Sequence, residues 1–154
     1  MKTAILYESA HHGNTKKLLD AIRARYDVVL IDATGATGAV PSLEEYDVIG
    51  IASGVAYGKF YKEILAQTEA RLPRRKKVFF LYTAGKPSDS HANAVRVIAQ
   101  AKDCACLGAF GCKGYDTYGP FKLIGGLNRG APKEKDIQAA VEFYSRMMAE
   151  AEKN

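Results

Sequence analysis

The segment Ser9-Ala10-His11-His12-Gly13-Asn14-Thr15 places hydroxyls, imidazoles and a glycine between an apolar run and a helical pattern. A strand that ends in a small polar loop and continues as a helix presents free backbone N–H groups at the helix start. The helix dipole reinforces them, so a phosphate binds there without Lys or Arg. Asn14 and Thr15 are expected to cap the helix and fill its first turn, and the hydroxyls of Ser9 and Thr15 to donate to phosphate oxygens. His11 and His12 read two ways: as solvated or capping side chains, or as phosphate donors that add charge when protonated. A metal is not expected on this pair, because adjacent residues rarely point at one ion and no nearby carboxylate or Cys completes a set.

Such a loop needs a strand behind it and a helix ahead of it. Thr3 to Tyr7, Val28 to Ile31, Val48 to Ala52 and Val78 to Tyr82 are short, nearly continuous apolar runs, and Cys104 to Cys112 is a fifth with more small residues. Runs of this kind suit strands buried on both faces of a parallel sheet. Between them apolar residues recur at helical spacing: Leu18, Ala21 and Ile22; Phe60, Ile64 and Leu65; Val95, Ile98 and Ala99; Ile137, Ala140, Val141, Tyr144 and Met148. Alternation from end to end predicts an α/β sandwich of about five parallel strands with helices on both faces, as one domain over residues 1–154. The connection from Asp32 to Tyr46 leaves room only for a helical turn around Ser42 to Glu45. The stretch from Gly114 to Asp136 is a long irregular loop, and its Tyr115, Tyr118, Phe121, Leu123 and Ile124 predict that it packs over something.

In an open parallel sheet, ligands bind beyond the carboxyl ends of the strands, where strand order reverses. That rule selects the loops Glu8 to Asn14, Ser53 to Gly58, Thr83 to Ser88, and the chain from Lys113 onward. Gly13-Asn14-Thr15, with the Ser9 hydroxyl before it, resembles the phosphate loop of the flavodoxin family, whose Ser/Thr-rich turn ends in Gly-Asn-Thr or a close variant. His11 and His12 stand where more familiar members carry Thr. The resemblance implies a flavodoxin-like three-layer sandwich with strand order 2-1-3-4-5, and FMN as cofactor. It also implies roles for two further loops. In Ser53, Gly54, Tyr57, Gly58, Lys59 and Phe60, the aromatic Tyr57 would lie against the isoalloxazine ring, although it also reads as a plain surface aromatic. Gly54 and Gly58 would let the backbone approach the ring edge and take positive φ, and a peptide here would reorient on reduction. In Thr83, Ala84 and Gly85, backbone groups would grip the pyrimidine end. This third loop lacks an aromatic, so Tyr115 or Tyr118 becomes the candidate for the opposite ring face.

Other features bound the alternatives. The chain carries 22 Lys and Arg against 17 Asp and Glu, and no apolar run approaches the roughly 20 residues of a membrane helix. The N-terminus does not read as a signal peptide, so a cytoplasmic protein is expected. Cys104, Cys106 and Cys112 are read as reduced thiols, with Cys104 and Cys106 filling core space. The basic run Arg71 to Lys77 precedes a strand, at the amino end of the sheet, and is read as a solvated turn rather than a nucleic-acid site. Neither a P-loop nor a Rossmann fingerprint is present. Lys16, Lys17, Lys59, Lys62, Lys86, Lys113 and Lys122 outnumber Glu8, Glu63, Asp89 and Asp116 around the carboxyl-end loops. This predicts redox partners with an acidic docking face. The function expected is electron transfer between a reductase and an acceptor, with no catalytic residue of its own. A flavodoxin-like NAD(P)H-dependent quinone or flavin reductase is the first alternative, and a flavin-free binding module on the same fold is the second. The long loop could be a docking surface, a lid or a dimer contact.

Overall fold

The computed structural model describes residues 1–10, 12–36, 38–117 and 119–153. The apolar runs form strands β1 (Thr3–Glu8), β2 (Val29–Asp32), β3 (Val48–Ala56), β5 (Lys77–Ala84) and β6 (Ala105–Lys113), joined by a two-residue strand β4 (Lys59–Phe60). Neighbours along the sheet run β2-β1-β3-β5-β6, all parallel, and β4 pairs antiparallel with β3. Without β4 this is the expected 2-1-3-4-5 order. The order reverses at β1, so β1 and β3 lie side by side and their following loops diverge to opposite faces.

Helices α1 (Asn14–Arg23) and α4 (Glu134–Glu152) cover one face, and α2 (Lys62–Arg71) and α3 (Asn93–Ala101) the other. Leu18, Leu19 and Ile22 of α1 and Ala140, Val141 and Tyr144 of α4 pack with Ile5, Phe79 and Leu81. On the opposite face Ile64, Val95 and Ala99 meet Leu6, Ile51 and Phe80. Among the described residues no helix joins β2 to β3. A turn closed by Tyr46 N–H to the Leu43 carbonyl drops Leu43, 1% exposed, into the second core in place of a helix.

Three expectations change. Phe60 does not begin a helix: it sits in β4, 1% exposed, with its ring tilted against Tyr82 at 6.0 Å between centroids. The pairing of Ala56 with Lys59 makes Tyr57-Gly58 a two-residue hairpin loop with φ of 53° and 80°. Positive φ at both positions is the geometry that matches strand twist, normally given to Asn-Gly, so a tyrosine there hid the hairpin. Cys106 is exposed rather than core-filling, because β6 takes an extra residue, Leu107, between the partners of Val78 and Phe79.

Aromatic rings of β5 lie across glycines of the adjacent strands. Phe79 is in register with Gly50, where an added Cβ would come within 2.5 Å of the ring. Tyr82 is in register with Gly111, whose Cβ would overlap the Tyr82 ring. The basic run is a clasp at the amino end of the sheet. Lys76 Nζ donates to the Glu44 carbonyl at 2.7 Å, Lys77 Nζ to Ala151 O at 2.5 Å, and Arg74 pairs with Asp103. Among the described residues no helix is long and apolar enough to cross a membrane.

Candidate functional site

The end of the loop after β1 opens the start of α1 through backbone geometry. His12 and Gly13 both adopt left-handed φ, 56° and 64°, and Gly13 is the N-cap without a side-chain cap bond. The first bond inside the helix runs from Lys17 N–H to Gly13 O at 3.1 Å. Ser9 Oγ reaches forward seven residues to accept the Lys16 N–H at 3.0 Å. The N–H groups of Asn14 and Thr15 therefore stand ahead of the helix's own ladder, at the positive end of its dipole. Ser9 keeps its hydroxyl proton for donation. Ala10 is exposed beside this entrance, and His11 lies outside the described residues.

Thr15 is also a tie within the fold. Its Oγ1 is 2.8 Å from Thr83 Oγ1 and the residue is 1% exposed, so the pair joins α1 to β5 with one hydroxyl donating and the other keeping its proton. Asn14 turns inward as well, at 7% exposure. Its Nδ2 donates to the Tyr115 carbonyl at 2.8 Å, while Oδ1, buried, has no hydrogen-bond partner among the described residues. A buried acceptor of this kind carries a cost of about 1–3 kcal/mol unless a ligand or water donates to it.

In the loop after β3, Ser53 is fully buried and its Oγ donates to Gly54 O at 2.6 Å while accepting Tyr61 N–H at 3.1 Å. It staples the base of the hairpin and does not face a ligand. Gly54 is required by contact rather than by φ, because a Cβ would overlap the Tyr61 side chain. Gly58 does take positive φ, and a Cβ added there would meet nothing within 4 Å. Tyr57 stands at the hairpin tip, 99% exposed, with Lys59 exposed beyond it.

The long loop closes over the ends of β1 and β5. Gly114 N–H donates to Ala84 O at 3.0 Å, and Asn128 Nδ2 to Gly85 O at 2.7 Å. The carbonyls of Ala84 and Gly85, expected to hold a ligand, thus each accept a hydrogen bond from the protein. Gly85 has no room for a Cβ, which would sit 2.5 Å from Asp116 Oδ2. Asp116 and Leu127 form an antiparallel bridge, and Tyr115 Oη donates to Gly125 O at 3.1 Å. The Tyr115 ring stacks on His12 at 4.3 Å and 23°, and His12 Nε2 lies 3.1 Å from Thr117 Oγ1. Tyr115 is therefore a neighbour of the first loop, on the phosphate side; Tyr118 lies outside the described residues. Leu123 and Ile124, in the turn Gly119–Ile124, remain 89% and 74% exposed.

Between these loops a cleft lined by Asn14, Gly54, Val55, Tyr61 and residues 83–85 and 114–116 holds about 10 Å³. That is room for about one water. The Asn14 Oδ1 that lacks a partner among the described residues, the helix entrance and the exposed Tyr57 ring fit the polar and aromatic parts of a flavin nucleotide.

Three residues outside the expected set shape the same region. Tyr61 covers Gly54, and Asn128 ties the long loop to Gly85. His91, in the turn Asp89–Ala92 before α3, places Nδ1 3.0 Å from Gly58 O and Nε2 2.9 Å from Lys86 O. Nothing in the sequence around His91 marks it; only the fold brings it to two loops at once. Glu8, half-buried at the end of β1, accepts the Ile64 N–H at 3.0 Å. Burial pushes its carboxyl above the usual range, opposed by that hydrogen bond and reinforced by Glu63 and Asp32.

A sequence model of the flavodoxin domain matches residues 4–122. An uncharacterized protein of Methanocaldococcus jannaschii is 39% identical over 150 residues, covering 96% of this chain and 99% of its own length. Among solved structures, a flavodoxin from the domain Archaea superposes with a TM-score of 0.63 at 16% identity, over 99% of each chain. A flavoprotein in complex with FMN from Lactobacillus acidophilus superposes at 0.52 with 21% identity, over 71% of this chain and 92% of its own. At these identities the two structures establish a shared fold.

Proposed function

The chain belongs to the flavodoxin family, and from that premise we propose that it binds FMN and carries electrons between a reductase and an acceptor. The observation that carries the reading is the buried Oδ1 of Asn14, without a hydrogen-bond partner among the described residues, on a residue that lines the cleft and begins α1. A hydroxyl or N–H of a bound nucleotide supplies the missing donor there, and its phosphate takes the N–H groups of Gly13, Asn14 and Thr15 with the Ser9 hydroxyl. The FMN complex of a protein with the same fold supports the choice of nucleotide.

The flavin, once bound, supplies one- and two-electron exchange. The residues of the chain do the rest. Tyr57 offers an exposed ring for stacking. Gly58 and Lys59 carry the hairpin backbone toward the ring edge, and Ala84 and Gly85 form the floor, their carbonyls retaining a second lone pair for a ligand. Gly114, Tyr115 and Asp116 wall the cleft on the side of the long loop. Ser53, Phe60 and the Thr15–Thr83 pair fix these loops from behind. Exposed lysines at this end, Lys59, Lys86 and Lys113 among them, set a positive field that suits a redox partner with an acidic face.

The test is the visible spectrum of the purified protein after saturation with FMN and gel filtration. Stoichiometric retained flavin is expected, with no oxidation of NAD(P)H unless a reductase is added. Oxidation of NAD(P)H by the holoprotein alone with a quinone would overturn the carrier reading in favour of a reductase whose long loop is a substrate lid. No retained flavin would overturn both.

A further inference from the structure

A carbonyl oxygen has no proton to give, so each ring nitrogen facing one must donate if a hydrogen bond is to form. Neutral imidazole has one N–H and imidazolium has two. His91 faces two carbonyls, Gly58 O at 3.0 Å from Nδ1 and Lys86 O at 2.9 Å from Nε2. Those carbonyls belong to different loops: Gly58 to the hairpin after β3 that carries Tyr57, and Lys86 to the loop after β5 that continues from Gly85. With a neutral ring, one nitrogen turns a lone pair toward an oxygen and one loop loses its tie.

The geometry points to His91 as a positioning residue of the flavin site: as imidazolium it clamps the Gly58 and Lys86 carbonyls together, and on losing a proton it releases one of the two loops. This rests on the flavin reading of the previous subsection for its consequence, but the clamp is a property of the protein alone.

Histidine as a residue type ordinarily changes charge between pH 5 and 8. The ring packs perpendicular to Tyr82 of β5 at 5.9 Å, and burial and Asp89 push that phenol upward, away from this range. Asp89, in the same turn, is held below the usual carboxylate range by Arg96 of α3, with which it pairs at 2.7 Å. The Cys106 thiol of β6, on a residue exposed overall, is raised by partial desolvation of its sulfur, with the Arg96 charge opposing. Lys59 of β4 and Lys86 itself are the flanking cations.

Two measurements test the clamp. In the apoprotein, NMR of the imidazole ring should show two ring N–H protons of His91 protected from exchange at pH 5.5 and one at pH 8.5. FMN affinity, measured by fluorescence quenching over the same range, should fall by about fivefold more in wild type than in His91→Gln as pH rises, the worth of one net hydrogen bond. Comparing the two proteins cancels the titration of the FMN phosphate, and far-UV circular dichroism confirms that the variant is folded. Parallel pH profiles, or a single protected ring N–H at pH 5.5, overturn the clamp. Two protected N–H protons with no FMN binding at any pH leave the clamp standing and overturn its link to flavin.

Discussion

Replacing Tyr57 by Gly should leave the apoprotein at least as stable while weakening FMN binding. The side chain is 99% exposed, so its removal deletes no packing. Its φ of 53° is a left-handed conformation that costs a non-glycine residue about 1–2 kcal/mol. Glycine removes that strain but gives back about 0.5–1 kcal/mol through the greater freedom of the unfolded chain. The net change is therefore between zero and about +1.5 kcal/mol, and each kcal/mol moves the midpoint of a chain this size by about 2–4 °C. Against this, stacking of a planar heterocycle on an aromatic side chain is worth about 1–3 kcal/mol, so the FMN dissociation constant should rise by about fivefold to a hundredfold or more. Urea unfolding of the apoprotein followed by circular dichroism gives the first quantity, and flavin fluorescence quenching the second. Tyr57→Phe is the control, keeping both strain and affinity. If the glycine variant unfolds more than 1 kcal/mol more easily, or binds FMN as wild type does, the assignment of Tyr57 as a strained ligand-facing ring is wrong.

Gly85→Ala drives a Cβ to 2.5 Å from Asp116 Oδ2 and 3.1 Å from Leu127, so the long loop should lift and limited proteolysis within residues 117–126 should accelerate at native pH; unchanged cleavage counts against the contact. Glu8 has a raised folded pKa, so it binds protons more tightly in the folded state and its contribution to stability is present below about pH 4.5 and lost as pH rises through the folded value. Glu8→Gln, which still accepts the Ile64 N–H, should match wild type at low pH and exceed it at neutral pH in chemical unfolding; the reverse order refutes burial as the dominant cause. Cys112 is buried with its thiol pushed up to about 12, so a thiol reagent at pH 8 should label exposed Cys106 in the native protein and reach Cys112 only on unfolding, as mass mapping would show.

The strands were legible because Thr3 to Tyr7, Val48 to Ala52 and Val78 to Tyr82 are apolar on both faces, a pattern that suits a covered parallel sheet, whereas their order followed only from the resemblance carried by the first loop. The first loop was legible because Gly13-Asn14-Thr15 combines a residue free to take positive φ with helix-starting types. Residue type did not reveal direction. Thr15 and Ser53 have the hydroxyls a ligand site needs, yet both point into the protein, a matter of which face of α1 and β3 each occupies. Phe60 had helical spacing with Ile64, but the Tyr57-Gly58 hairpin reset the register before α2 began. His91, Tyr61 and Asn128 were invisible because each acts across a distance in sequence, against Gly58, Gly54 and Gly85, which only tertiary packing brings near.

Tyr82 has three neighbours that share no stretch of sequence: Gly111 beneath its ring, Phe60 beside it and His91 at right angles to it. A side chain at position 111 can be accepted only if the ring at 82 shrinks, and a smaller residue at 82 withdraws the backing of both the hairpin strand and the histidine. Evolutionary drift at an outer strand of the sheet is thereby coupled to the loops at its carboxyl end. Among relatives of this chain, bulk at 111 should be inherited together with loss of the aromatic at 82, and such lineages should also have abandoned the histidine at 91.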